Sequence, residues 1–107
     1  MLYLITQFDV DDLDRREYAQ QVSGFHEKLI GEGCRILLHS DRLESFVYGV
    51  EEEKEQDLRK LCKAFQQYSR QMAQAEFLYD LFTREEILES EHFGEGFIQA
   101  LHRAEEQ

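Results

Sequence analysis

Apolar residues in this chain change their spacing from segment to segment, and the order of those changes restricts the fold more than any other feature. Residues 2–8 (LYLITQF) are apolar, β-branched and aromatic, and aspartates cut the run off before it reaches helical length, which marks a buried strand. From Asp14 onward the spacing becomes helical. Tyr18, Val22, Phe25 and Leu29 fall on one face of a helix over 14–31, and Gly31 and Gly33 supply its stop. CRILLHS (34–40) and SFVYGV (45–50) return to strand character and join through the polar DRLE as a hairpin. Leu58, Leu61, Cys62, Phe65, Tyr68 and Met72 then trace a second helix over 52–72, and AEFLYDLF (75–82) makes a fourth strand.

The order β-α-β-β-α-β is that of the ferredoxin-like α+β sandwich, an antiparallel sheet with two helices on one face. Val22, Phe25, Leu29, Leu58, Leu61, Phe65 and Tyr68 are expected to pack against that sheet. A helical C-terminal extension follows. Thr83 with Glu86 forms a capping box opening a helix over 84–92, FGEG interrupts it, and Phe97, Ile98, Leu101 and Ala104 suggest a short last helix. One domain is expected over 1–107, with its core in 1–82 and the extension in 83–107. Strand 1 puts Leu2 and Leu4 on one face and Tyr3 and Ile5 on the other, and strand 4 opposes Phe77, Tyr79 and Leu81 to Leu78 and Phe82. A sheet with two apolar faces needs two covers. The second is either a partner copy in a homodimer or the chain's own tail, through Phe93, Phe97, Ile98 and Leu101.

Twelve basic against twenty-three acidic side chains give a formal charge of −11. A field of that sign repels phosphate and anionic lipid, so neither direct nucleic-acid binding nor membrane association is expected, and basic partners are favoured. The apolar share of 42%, with eight Phe and five Tyr, separates the chain from disordered acidic tails. Cys34 and Cys62 have no CxxC partner and no zinc-module spacing, and each is expected to be a buried free thiol. MLYLITQFDV has no basic leader and no small-residue cleavage site, which points to the cytoplasm.

Asp9, Asp11, Asp12 and Asp14 crowd the first strand-to-helix seam, where carboxylates cap orphan amides and oppose the positive end of the helix dipole; Asp14 and Glu17 have capping-box spacing. The same rule accounts for the acids of EEEKEQD (51–57) ahead of Arg59, Lys60, Lys63 and Arg70. A calcium loop counted from Asp9 fails at Leu13, Asp14 and Gln20. Glu89 and His92 have the spacing of a di-iron helix without the second copy such a site requires. No metal or cofactor is expected. No serine lies in a GxSxG turn, and GEGCR lacks a phosphate loop's lysine. His39, closing strand 2, is the imidazole placed to face a cleft.

A strand ending FDVDD, then LDRRE, then SFVYGV resembles the small ferredoxin-fold subunits of CRISPR adaptation. The resemblance covers roughly the first fifty residues. It implies a dimeric metal-dependent nuclease with Asp9 as ligand, Arg15 and Arg16 following it, and Ser45, Phe46 and Gly49 in the third strand. The start MLYLITQ is similar to dimeric α+β barrel enzymes, which implies a small organic substrate taken near His39. The acidic surplus and the extra tail depart from the first pattern, and the catalytic histidine and aspartate context of the second is not evident. The charge itself favours a non-enzymatic regulator or inhibitor. Its carboxylates, Glu51, Glu52, Glu53 and Glu55 in one patch and Asp9, Asp11 and Asp12 in another, would imitate nucleic-acid phosphates and dock on a basic, nucleic-acid-handling protein.

Overall fold

A computed structural model describes residues 1–9 and 15–106. The elements run β1 (Leu2–Phe8), α1 (Arg16–Gly31), β2 (Arg35–His39), β3 (Ser45–Val50), α2 (Glu55–Met72, entered through a 3-10 turn at Glu52–Lys54), β4 (Phe77–Thr83), α3 (Arg84–Glu89) and α4 (Glu95–Glu105). The four strands form one antiparallel sheet in the order β2-β3-β1-β4. This is the ferredoxin-like α+β arrangement with a helical C-terminal extension.

Alternation along β1 sorts its side chains between two cores. Leu2, Leu4 and Phe8 join Phe46, Tyr48 and Val50 of β3 and Phe77 and Leu81 of β4 beneath the helices, where Tyr18, Val22, Phe25, Leu29, Leu58 and Cys62 close the layer. Tyr3 faces the other way and meets Val47, Ile87 and Leu101, with Phe82, Phe93, Phe97 and Ile98 packed around them. The second sheet face is therefore covered by the chain's own tail. The β2 strand contributes to this core through a bulge. The register slips between Ile36 and Leu38, and both Leu37 and Leu38 pack on the tail side instead of alternating across the sheet.

Helix ends follow their chemistry. At the end of α1, Cys34 N–H donates to the Leu29 carbonyl at 3.0 Å and Gly33 N–H to that of Ile30 at 3.0 Å, with Gly33 at φ 92°. This is a Schellman stop, and it explains why a glycine stands there. The Thr83 capping box is present, Glu86 N–H donating to Thr83 Oγ1 at 3.1 Å and Thr83 N–H to Glu86 Oε1 at 3.0 Å. Acids occupy the first turns (Glu17, Glu55, Asp57, Glu85, Glu86, Glu95) and Lys28, Arg70 and Arg103 the last, as the macrodipole favours. The Asp14 cap lies outside the described residues.

Several boundaries and one packing expectation need correction. The helix expected from residue 52 begins at Glu55, because the Glu51 peptide is extended and the chain first makes the 3-10 turn. The helix expected to reach 92 stops at Glu89, where the Ser90 backbone turns extended. Tyr68 does not pack against the sheet. It is 37% exposed and stands on the outward flank of α2, while Ser69 takes the inward position and pairs with the Tyr18 hydroxyl at 3.0 Å.

The β2–β3 turn is built on Ser40, whose Oγ accepts from Glu44 N–H at 3.0 Å and Ser45 N–H at 3.1 Å. Its tip holds Leu43 at φ 59°, a left-handed conformation that costs a leucine about 1 kcal/mol, with the side chain 51% exposed. Leu43→Asn is expected to raise the unfolding free energy by about 0.5–1 kcal/mol, read from the urea midpoint, since asparagine tolerates this region and no core contact is lost. A lower midpoint would mean that Leu43 makes a contact worth more than the strain.

Candidate functional site

The sequence offers two acidic patches, and the sheet register places what is described of each. Val50 pairs with Leu2 at the start of β1, so Glu51, Glu52 and Glu53 emerge at that end of the sheet, all exposed. Asp9 follows Phe8 at the opposite end, also exposed, and Asp11 and Asp12 lie outside the described residues. Seven residues of β1 separate the two patches by about 20 Å. Glu52 lies 3.6 Å from the amino terminus of Met1, and Glu55 is half-buried and paired with Arg59 at 3.4 Å.

Thr83 also pairs with Leu2, and this brings the start of α3 to the same end as Glu51–Glu53. The residues there enclose a concavity of about 470 Å³ lined by Met1, Tyr3, Arg35, Glu52, Arg84, Glu85 and Glu105 among others. Sequence alone did not associate Glu85 with Glu52, because the juxtaposition depends on the β1–β4 register. Within the concavity the Tyr3 hydroxyl donates to Glu105 Oε1, and Arg84 Nη2 donates to Glu105 Oε2 at 2.5 Å. Burial, reinforced by the hydrogen bond to Glu105 and its negative charge, pushes the Tyr3 phenol up to about 12. Tyr3 is thus a neutral donor at physiological pH, and the Tyr3–Glu105–Arg84 group ties the last turn of α4 to the sheet.

A second polar cluster lies inside the helix-side core. The Tyr48 hydroxyl is hydrogen-bonded to His26 Nδ1, and the imidazole sits among Phe46 (centroids 4.1 Å apart), Phe8 and Phe25. His26 Nε2 is buried without a hydrogen-bond partner among the described residues. Burial lowers the His26 pKa to about 4 and drives the Tyr48 phenol far up. Both groups are neutral near pH 7. Sequence reasoning passed over His26 because its neighbour Glu27 offered no ligand pattern; its i+4 spacing from Val22, on the edge of the apolar stripe, was the available signal.

Cys34 and Cys62 are buried and unbridged. Burial pushes their thiols up to about 11 and about 12, so neither presents a thiolate nucleophile at neutral pH. His39 is exposed, with Nδ1 3.1 Å from the Ser40 carbonyl oxygen and its ring 6.0 Å from Phe46. Among the described residues no three His, Cys, Asp or Glu side chains cluster as metal ligands. No helix among them is long and apolar enough to cross a membrane. No family model, curated protein or solved structure matches the chain.

Proposed function

We propose that the chain is a small acidic binding protein, a regulator or inhibitor acting in the cytoplasm, whose carboxylates dock on a basic site of a nucleic-acid-handling protein. The observation that supports this is the convergence of Glu51, Glu52, Glu53 and Glu85 at one end of the sheet, with Glu52 and Glu85 on the rim of a single concavity. Carboxylates gathered at one end of the sheet compete for the lysines and arginines that would otherwise neutralise phosphates. The Asp9 patch, at the far end of β1, cannot share a small footprint with it. Asp9 therefore belongs to a separate surface.

The test is kinetic. A basic partner is recovered from the source cell by pull-down at low salt, and its association with purified protein is followed by stopped flow or surface binding. Glutamine at positions 51, 52, 53 and 85 together is expected to slow association by about tenfold, while asparagine at 9, 11 and 12 leaves it within about twofold. The wild-type rate should fall as ionic strength shortens the Debye length below about 8 Å. Equal effects from both sets would reduce the docking face to nonspecific attraction, and failure to recover a basic partner would remove the proposal's support.

A further inference from the structure

The sheet ends in two edge strands, β2 and β4, and an edge strand offers its outward N–H and C=O groups to any strand that can pair with them. The bulge between Ile36 and Leu38 interrupts β2. β4 runs in unbroken register along β1, from Phe77 opposite Phe8 to Thr83 opposite Leu2. Its sequence FLYDLFT is aromatic and aliphatic apart from Asp80 and Thr83, and Leu78 is 46% exposed. A regular apolar edge of this kind is a template for pairing with its own equivalent in a second copy.

Hydrogen-bond directions fix which groups of β4 face outward. Phe8 N–H donates to the Glu44 carbonyl at 2.7 Å, on the β3 side, so Gln7, Ile5 and Tyr3 are the β1 residues that turn their backbone groups toward β4. Their partners Leu78, Asp80 and Phe82 point inward, and Phe77, Tyr79 and Leu81 point out. Side chains already hold two of these outward groups. Leu81 N–H donates to Asp80 Oδ1 at 2.8 Å, and the Phe77 carbonyl accepts from Gln66 Nε2 of α2 at 2.9 Å. At the end of the strand Thr83 N–H is taken by Glu86 in the capping box. The Tyr79 N–H and C=O carry no such cover among the described residues.

Two β4 strands meeting antiparallel about a two-fold axis at Tyr79 would set Phe77 of one copy against Leu81 of the other. In that register each Leu81 N–H has to find a Phe77 carbonyl, and these are the donor and the acceptor that Asp80 and Gln66 occupy. Asp80 would also stand diagonally across from its own equivalent, about 7–8 Å away on the same sheet face, where two carboxylates repel. We infer that Asp80 and Gln66 form an edge guard that keeps β4 from pairing with β4 of a second copy of this chain. The tail covers the second sheet face, and the guard closes the edge that the tail leaves open. The inference is independent of the carboxylates at the proposed docking end.

Amide exchange in the wild type, followed by NMR, tests the guard without a mutation: Leu81 should exchange about tenfold or more slowly than Tyr79. Asp80→Val removes the acceptor and the charge at an exposed position and raises β propensity. By sedimentation equilibrium this variant should dimerise in the low micromolar range, with Tyr79 gaining exchange protection as concentration rises, while the wild type stays monomeric at about 100 µM. Adding Gln66→Leu frees the matching acceptor and should tighten the dimer by about tenfold. Asp80→Asn keeps an oxygen for Leu81 N–H and should associate about tenfold more weakly than Asp80→Val, which separates the cap from the charge. Tyr79→Pro in the Asp80→Val background removes the central outward donor and should restore the monomer. Should Asp80→Val precipitate, Asp80→Ala takes its place with the same readouts. Equal exchange at Leu81 and Tyr79, a wild type already dimeric with Tyr79 protected, a double variant that remains monomeric, or a dimer that leaves Tyr79 unprotected would overturn the inference.

Discussion

A chain truncated after Ser90, lacking α4, is expected to lose its cooperative unfolding transition or to unfold at a urea midpoint far below that of the whole protein, and to bind a hydrophobic dye in buffer. The reason lies in the second sheet face. Tyr3, Val47 and Ile87 are buried there against Leu101, and Phe93, Phe97 and Ile98 complete the cover. Removing one buried leucine of this kind costs about 2–5 kcal/mol, and the truncation removes Leu101, Phe97 and Ile98 together while severing the Glu105 contacts to Tyr3 and Arg84. Domains of this size are stable by only about 5–15 kcal/mol, so the loss takes most of the margin. An intermediate variant keeps the question answerable if the truncated chain precipitates. Leu101→Ala should lower the unfolding free energy by about 2–4 kcal/mol without changing the far-ultraviolet spectrum. A change below about 0.5 kcal/mol would show that α4 is an appendage and not half of a second core.

The element order was legible because each segment states its own period. The alternation in β1, the stripe Tyr18–Val22–Phe25–Leu29 and the stop at Gly33 are local signals, and local geometry settles them. Sequence also required two covers for the sheet, since Tyr3 and Leu4 cannot both face one layer. Whether tail or partner copy supplied the second cover was not legible. That choice depends on the break at Ser90, where the chain turns extended and re-enters helix at Glu95, and on the β2 bulge that turns Leu37 and Leu38 to the tail side. Tyr68 shows the limit of stripe reasoning. It is three residues from Phe65 on α2, yet the sheet-facing place is taken by Ser69, small enough to sit beneath the Tyr18 hydroxyl.

The candidate sites were less legible because they are made by register. Glu52 and Glu85 are far apart in sequence and meet because Val50 and Thr83 both pair with Leu2. Sequence put Glu51 and Asp9 in separate patches, and the length of β1 between them is the distance that sequence could not state. His39 attracted attention from its place at a strand end and is exposed at the sheet's edge, whereas His26, in mid-helix, is the imidazole drawn into the core. Helical periodicity put His26 at the margin of the buried stripe, and the aromatic neighbours from β1 and β3 decided its burial.

That half-buried imidazole gives the protein a defined acid sensitivity. In the unfolded chain a histidine titrates near 6.5, and in the folded protein burial lowers His26 to about 4. Between those values the unfolded state binds a proton that the folded state does not, so stability rises with pH across this window. The contribution is complete above pH 6.5, declines as pH falls toward 4, and is gone below. The full interval corresponds to about 3 kcal/mol, and because the ring is not wholly shielded from solvent about 2 kcal/mol is expected. His26→Asn keeps an acceptor for the Tyr48 hydroxyl and removes the titration. At pH 7 the variant should be the less stable protein, since asparagine leaves part of the aromatic nest around His26 unfilled. Between pH 7 and 4.5 the gap in unfolding free energy should shrink by about 2 kcal/mol as the wild type alone yields to the proton on its buried ring. Urea titrations at half-unit steps measure it directly. A gap that stays constant over this range would show that the burial of His26 is not what makes the fold sensitive to acid.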